Sequence, residues 1–199
     1  MNLTFDSKHI KVYDNVLTDD QFDMLFTWYN NIPLVYKVAD GEWNRLWSFD
    51  SQVLYGKSYY FPKGKTPPLR EDTEIIPLIE AVNSVISNGK VTMTPYCYAP
   101  GSGLSWHNDS NYSEAFTFYC HNYWSPEWGG ELQAIEVKEN VDCQIFDNQK
   151  LYDSIMNNGV GNFFHPKPNR LIVNSNILHK VNKTTTNSNA RLTLQGFIN

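Results

Sequence analysis

Two segments in the first half of the chain space their apolar residues as amphipathic helices do, and a short strand is predicted before them at about residues 10–13. The first helix is predicted to begin after Thr18, whose hydroxyl suits an N-cap. The second is predicted from about residue 73 to residue 87, where Pro77 is tolerated only in the first turn. The apolar positions that define the first helix are Phe22, Leu25, Phe26 and Tyr29.

From Val91 onward the pattern changes to short runs rich in β-branched and aromatic residues, separated by Gly, Pro, Asn and Asp. The pattern predicts about eight short strands and a C-terminal half that is all β. Because a sheet must bury one face, we expect a mainly β fold with supporting N-terminal helices, built as a double-sheet jelly roll. The clearest strand-like runs are residues 91–98, 114–121, 131–137, 170–176 and 191–198.

Length and loop composition predict a single domain. A chain of 199 residues with 41% apolar side chains is long enough to bury one core. We therefore expect one domain over residues 1–199, with helical support and a long loop in about residues 1–90 and the jelly roll in about residues 91–199. Residues 56–70 are rich in Pro, Gly and Lys, which indicates an extended loop or ribbon that is either a mobile lid or a plain surface connection. The asparagine-rich residues 182–189 are predicted to form a loop.

Charge and hydropathy narrow the function classes. The net charge is −5 and no cluster of Lys and Arg is present, so no nucleic-acid partner is expected. No run approaches the ~18 apolar residues of a membrane span, and the first residues lack the apolar stretch of a signal peptide. Cys97, Cys120 and Cys143 form no metal-binding spacing and no even disulfide set, so a cytoplasmic location is expected. The aromatic content of 15% indicates either a ring-lined cavity or a ring-rich core.

Candidate metal ligands come from two separate parts of the sequence. His107 and Asp109 are two residues apart, so in extended chain both side chains point to one face. His179 follows a strand-like run and could supply a third ligand. Two histidines and one carboxylate on one side of an ion form the facial arrangement of non-haem iron(II) oxygenases, whereas zinc prefers a closed or nearly closed tetrahedral set. The alternatives are a solvated surface pair and a structural histidine.

A candidate anion-binding residue opens the last predicted strand. Arg191, Thr193 and Gln195 alternate along that strand and therefore share one face. A guanidinium group can bind a carboxylate through two parallel hydrogen bonds, and a neighbouring hydroxyl can supply a third, so this strand could anchor a dicarboxylate. The alternative for Arg191 is an ordinary surface ion pair.

Four ordered blocks resemble the prolyl-hydroxylase-like branch of the iron(II)/2-oxoglutarate oxygenases over about residues 94–197. The resemblance implies a double-stranded β-helix with Fe(II) bound by His107, Asp109 and His179. It implies that Arg191 binds the 5-carboxylate of 2-oxoglutarate and that Tyr98 hydrogen-bonds the co-substrate. The alternative for Tyr98 is a buried phenol elsewhere in the core. The resemblance also implies a tight turn at residues 129–130 that directs Leu132 toward the same pocket. The hydroxyl of Thr193 is the candidate for a third hydrogen bond to the carboxylate. The blocks are Tyr98-Ala99-Pro100-Gly101 leading into His107-Asn108-Asp109, then residues 124–132, residues 166–173 before His179, and Arg191.

The same resemblance implies an activity and a substrate class. Fe(II), 2-oxoglutarate and O2 would hydroxylate an unactivated C–H bond with release of succinate and CO2, and ascorbate is a further possible cofactor. A prolyl residue of a peptide or protein is the leading substrate, and Trp106, Trp124 and Trp128 are expected either to contact it or to belong to the core. A free amino acid or other small metabolite is the alternative substrate, and a non-catalytic jelly-roll binding protein is the alternative function. Where relatives often carry Tyr-Leu-Asn, this chain has Cys120-His121-Asn122, and His121 is predicted to face solvent, with an orientation into the site as the alternative.

Overall fold

The computed structural model describes residues 1–36, 52–67, 71–109, 111–137 and 149–199. Within these ranges the helices are α1 (Asp19–Asn31), α2 (Ile76–Val85) and α3 (Gln149–Asn158). The strands of the first half are β1 (Asn2–Asp6), β2 (Ile10–Asp14), β3 (Val35–Tyr36), β4 (Val53–Tyr55) and β5 (Tyr59–Pro62). The strands of the second half are β6 (Lys90–Tyr98), β7 (Leu104–His107), β8 (Glu114–Tyr119), β9 (Leu132–Ile135), β10 (Asn162–Phe164), β11 (Arg170–Asn174), β12 (Leu178–Val181) and β13 (Arg191–Ile198).

The two predicted helices form where the apolar spacing places them. Thr18 caps α1 as predicted: its hydroxyl accepts the backbone N–H of Gln21, and the Gln21 side chain accepts the backbone N–H of Thr18. A 3-10 turn at Thr73–Ile75 leads into α2, and Pro77 lies in the first turn of that helix, where no backbone donor is needed. No helix in the described ranges is long and apolar enough to cross a membrane.

The larger sheet separates two apolar layers. Its strands run in the order β1-β2-β11-β8-β13-β6-β4-β3, with β5 also paired to β6. Alternation along β11 shows how the faces differ, because Leu171 and Val173 pack with the helices while Ile172 packs on the opposite face. The helices α1 and α2 therefore brace one side of this sheet, as the pattern predicts.

A smaller sheet covers the other face and completes the jelly roll. Its order is β10-β9-β12-β7, and every pair in both sheets is antiparallel. The layer between the sheets is rich in aromatic side chains. It includes Tyr96, Tyr98, Leu104, Tyr119, Leu132, Phe164 and Ile172. The predicted mainly β jelly roll with supporting helices is confirmed.

One part of the fold differs from the pattern-based prediction. The C-terminal half is not all β, because α3 lies between β9 and β10 and buries Leu151. The extended loop or ribbon predicted at residues 56–70 forms a ribbon over part of its length, since β5 pairs with β6. Its residues 68–70 lie outside the described ranges.

Candidate functional site

Two histidines meet because their strands pair in the smaller sheet. His107 on β7 lies directly opposite His179 on β12, and their ring centroids are 4.3 Å apart. Each Nδ1 lies beside the carbonyl oxygen of the residue two positions earlier in the chain, at 2.7 Å from Ser105 and 2.8 Å from Ile177. A carbonyl oxygen can only accept, so each Nδ1 carries a hydrogen and each Nε2 is the ring nitrogen left to bind a metal. Both rings are thereby oriented as nitrogen ligands.

Asp109 completes a group of three possible ligands. Its Oδ2 lies 3.5 Å from Nε2 of His179, and one ligand atom from each of the three residues lies within 4.8 Å of the others. Among the described residues, this is the group of side chains whose ligand atoms lie close enough together to hold a metal ion. Two neutral imidazoles and one carboxylate on the same side of an ion suit non-haem iron(II), because the opposite side stays open for other ligands. The donor set therefore fits iron(II).

Arg191 is buried next to Tyr98 with part of its hydrogen-bonding capacity unused. It is 2% exposed at the start of β13, opposite Tyr98 on β6, and its Cζ lies 4.3 Å from the centre of the Tyr98 ring. Its Nε and Nη2 have no hydrogen-bond partner among the described residues. Buried unpaired donors on a charged group are costly, so this environment suits an anionic ligand. The surface ion pair is excluded, because the side chain is buried and makes no ion pair with any described residue.

The neighbours of Arg191 on the strand are already hydrogen-bonded. The hydroxyl of Tyr98 donates to Oε1 of Gln195 at 3.1 Å, and that of Thr193 donates to the carbonyl of Tyr96 at 3.3 Å. Burial raises the pKa of Tyr98, the charge of Arg191 acts in the opposite direction, and the phenol remains protonated. Leu132 is buried in the same aromatic layer as Tyr98. Contacts of Tyr98, Thr193 and Leu132 with a co-substrate stay predictions.

The turn at Gly129 and Gly130 brings backbone close to this pocket. Both residues have positive φ, at 74° and 79°. A Cβ on Gly130 would lie 3.1 Å from Cζ2 of Trp124, 3.1 Å from Cγ2 of Thr184 and 3.6 Å from Cδ of Arg191. The absence of a side chain at Gly130 therefore lets an indole ring, a methyl group and the Arg191 stem approach one another.

We expect Gly130→Ala to destabilise the protein more than Gly64→Ala does. Both residues have positive φ, but a Cβ on Gly64 would meet nothing within 4 Å. Placing an alanine at positive φ costs about 1 kcal/mol in both variants. The contacts of the new Cβ at Gly130 with its neighbours add roughly 1–3 kcal/mol in that variant alone. Chemical denaturation measures the free energy of unfolding of each variant. Equal losses in the two variants would contradict the packing described around Gly130.

The three tryptophans proposed to contact substrate occupy different surroundings. Trp106 is adjacent to His107 and so lies on the opposite face of β7, where it packs with the Ile135 and Leu178 cluster. The structure therefore does not bring Trp106 to the metal side of the sheet. Trp124 is 8% exposed and donates its indole N–H to the carbonyl of Gly129 at 2.9 Å, and Trp128 packs edge-on against it at 5.4 Å. Both lie on the Gly130 side of the pocket.

Two residues of the pocket were not predicted as site residues. Tyr119 and His121 lie one strand away from Arg191, at the end of β8, and are fully or nearly fully buried. The prediction that His121 faces solvent is wrong, because the side chain is 3% exposed and its Nε2 lies 2.6 Å from the carbonyl oxygen of Pro166. Alternation along β8 could have indicated this, since Tyr119 and His121 share one face.

Comparison with known proteins agrees with this geometry. The profile of the 2OG-Fe(II) oxygenase superfamily matches residues 93–199, which is more than half of the chain. No curated protein sequence matches the chain.

Solved structures with a similar fold include a prolyl-4-hydroxylase from Pseudomonas putida, at 14% identity and a TM-score of 0.60 over 96% of this chain and 91% of that one. A prolyl hydroxylase from Trichoplax adhaerens, in complex with a hypoxia inducible factor peptide fragment, has 14% identity and a TM-score of 0.61 over 96% and 84%. HygX from Streptomyces hygroscopicus, with nickel, 2-oxoglutarate and hygromycin B bound, has 12% identity and a TM-score of 0.56 over 98% and 84%. At these identities the similarity establishes the fold.

Proposed function

Because this chain belongs to the 2OG-Fe(II) oxygenase superfamily, we propose that it is a dioxygenase that hydroxylates a prolyl residue of a peptide or protein. One observation carries the proposal: the structure combines a facial group of His107, Asp109 and His179 with a buried arginine whose Nε and Nη2 are unpaired. The first feature suits the iron and the second suits the far carboxylate of 2-oxoglutarate. A non-catalytic binding protein would have no need for both.

Each residue of the site has a distinct task in this proposal. His107, Asp109 and His179 would hold Fe(II), and the fixed Nδ1–H groups of the two histidines would keep their rings aimed at it. Arg191 would bind the 5-carboxylate of 2-oxoglutarate through its Nε–H and Nη2–H groups. When bound, Fe(II) with 2-oxoglutarate and O2 supplies hydroxylation of an unactivated C–H bond, with release of succinate and CO2. The buried aromatic layer around Tyr98 and Tyr119 excludes water from the Arg191 end.

The substrate class is supported by a row of tyrosines that extends from the site. The ring of Tyr96 lies 6.1 Å from that of Tyr98, and the ring of Tyr55 lies 6.4 Å from that of Tyr96. The hydroxyl of Tyr96 is neutral, because burial raises its pKa. Tyr96 and Tyr98 are buried, so the half-buried Tyr55 at the outer end of the row is the ring that offers surface to the extended, preformed backbone of a proline-containing peptide. Two of the structurally similar proteins are prolyl hydroxylases, one of them bound to a peptide, which points to the same class.

A matched peptide panel tests the substrate proposal. Fe(II)-loaded protein is given 2-oxoglutarate and air with a proline-containing peptide, or with the same peptide carrying alanine at each proline. We expect the proline peptide to stimulate succinate release and to gain the mass of one oxygen atom, while the alanine peptide does neither. Stimulation by free amino acids or small polar metabolites alone would keep the oxygenase activity but contradict the peptide substrate. Ascorbate as a supporting reductant and a cytoplasmic location also stay predictions.

A further inference from the structure

The end of the pocket around Arg191 contains four buried polar atoms that have no hydrogen-bond partner in the part of the chain that the structure describes. They are Nε and Nη2 of Arg191, the hydroxyl of Tyr119 and Nδ1 of His121. A carboxylate can only accept hydrogen bonds, so it can satisfy the two arginine nitrogens and the tyrosine hydroxyl. A carboxylate cannot satisfy Nδ1 of His121 if that nitrogen is itself an acceptor. The state of His121 Nδ1 therefore decides whether this residue helps or hinders the binding of an anion.

The structure fixes that state as an unprotonated acceptor. Nε2 of His121 lies 2.6 Å from the carbonyl oxygen of Pro166, which can only accept, so the ring hydrogen is on Nε2. Burial lowers the pKa of His121 to about 4; the backbone carbonyl groups of Pro166 and Leu192 act to raise it, and the positive charge of Arg191 acts to lower it. The ring is therefore neutral near pH 7, with a bare lone pair on Nδ1.

His121 is close to the arginine side chain through shared neighbours. Its ring lies 4.7 Å from the Trp124 ring and 5.8 Å from the Tyr119 ring. The Cζ2 atom of Trp124 and the Cδ atom of Arg191 both approach the space beside Gly130, at 3.1 Å and 3.6 Å from the position of an added Cβ. Imidazole, indole and the arginine stem thus pack around one end of the pocket.

We infer that His121 is a positioning residue for the co-substrate, whose Nδ1 accepts a hydrogen bond from the Arg191 guanidinium while that group binds the far carboxylate. A guanidinium has five N–H donors and a carboxylate takes two of them, so in a buried site the others need acceptors of their own. A neutral acceptor supplies one without adding a negative charge that would repel the carboxylate. This inference rests on the proposed function, because it takes 2-oxoglutarate as the ligand of Arg191.

Two substitutions separate the two nitrogens of the imidazole. In His121→Asn the amide oxygen can take the place of Nδ1, so the acceptor for Arg191 is kept and the bond to Pro166 is lost. In His121→Gln the amide nitrogen can take the place of Nε2, so the bond to Pro166 is kept and the acceptor near Arg191 is lost. A purely structural histidine would therefore be better replaced by Gln, and a positioning histidine by Asn.

The experiment measures calorimetric binding of 2-oxoglutarate to Ni(II)-loaded wild type and both variants, so that affinity is read without turnover. 2-Oxovalerate, which has a methyl group in place of the far carboxylate, is the matched ligand. We expect His121→Gln to weaken 2-oxoglutarate binding about tenfold or more, and His121→Asn to stay within about threefold of wild type. Affinity for 2-oxovalerate should change by less than about threefold in either variant.

Unchanged 2-oxoglutarate affinity in His121→Gln would overturn the inference. So would a folded His121→Asn variant that binds tenfold more weakly, or a parallel loss for both ligands, because that result indicates general loosening of the pocket. Wild-type protein that binds 2-oxoglutarate no better than 2-oxovalerate would instead contradict the proposed function.

Discussion

Truncation of His179 to alanine is expected to abolish succinate formation and to weaken iron binding by more than about 100-fold, since loss of even an outer partner of a metal ligand costs about 10–100-fold. The reason is geometric: His179 faces His107 across the paired strands and lies 3.5 Å from Asp109, so no other described ligand atom can take its place. Iron per chain, measured after anaerobic loading and desalting, checks the first effect. Succinate measured in the same samples checks the second.

His9→Ala is the matched control for this variant. His9 contacts the carbonyl of Ser175 and the carboxylate of Glu136 and does not belong to the three-residue group. The His9→Ala variant should therefore bind iron and form succinate as the wild type does. If both histidine variants keep their iron, or both lose it, the metal centre is not where the paired strands β7 and β12 put it.

Arg191→Met should have two opposite effects on binding and stability. Two charge-assisted hydrogen bonds contribute about 1.5–3 kcal/mol each, so their loss should weaken 2-oxoglutarate binding by about 100-fold or more. In the ligand-free protein the same substitution removes a buried charge whose Nε and Nη2 are unpaired. The free energy of unfolding should then rise by about 1–3 kcal/mol. Calorimetric titration and chemical denaturation measure the two changes.

Arg191→Lys serves as the control, because it keeps the charge and removes the planar fork. It should bind 2-oxoglutarate more weakly than wild type and gain none of the stability of the Met variant. An Arg191→Met protein that is less stable than wild type would mean that the guanidinium is satisfied without a ligand. Unchanged 2-oxoglutarate affinity would remove Arg191 from the site.

Local sequence patterns predicted much of the fold and suggested the candidate metal ligands. Thr18 could be identified as a cap because capping depends on residues within one turn. The metal group could be suggested because His107 and Asp109 are close in sequence, but their meeting with His179 depends on the pairing of β7 with β12. No local pattern specifies that pairing, and the family resemblance supplied it.

Long-range packing explains what the sequence did not reveal. The helix α3 was missed because it is a short amphipathic segment within a β-rich half, and its buried Leu151 packs against the smaller sheet. His121 was expected at the surface because histidine is polar, yet its hydrogen bond to Pro166 comes from a distant part of the chain. Trp106 was assigned to the site by its proximity in sequence to His107, although adjacent residues of a strand face opposite sides.

The most direct test of the oxygenase activity is succinate formation by the wild-type chain under four conditions: complete, without Fe(II), without 2-oxoglutarate, and without O2. The site predicts succinate in the complete mixture and none when any one component is left out, with one iron bound per chain through His107, Asp109 and His179. Two results would contradict the assignment of this site to 2-oxoglutarate-dependent oxidation. One is folded protein that binds no iron, and the other is iron-loaded protein that forms no succinate with any of the peptides or metabolites offered.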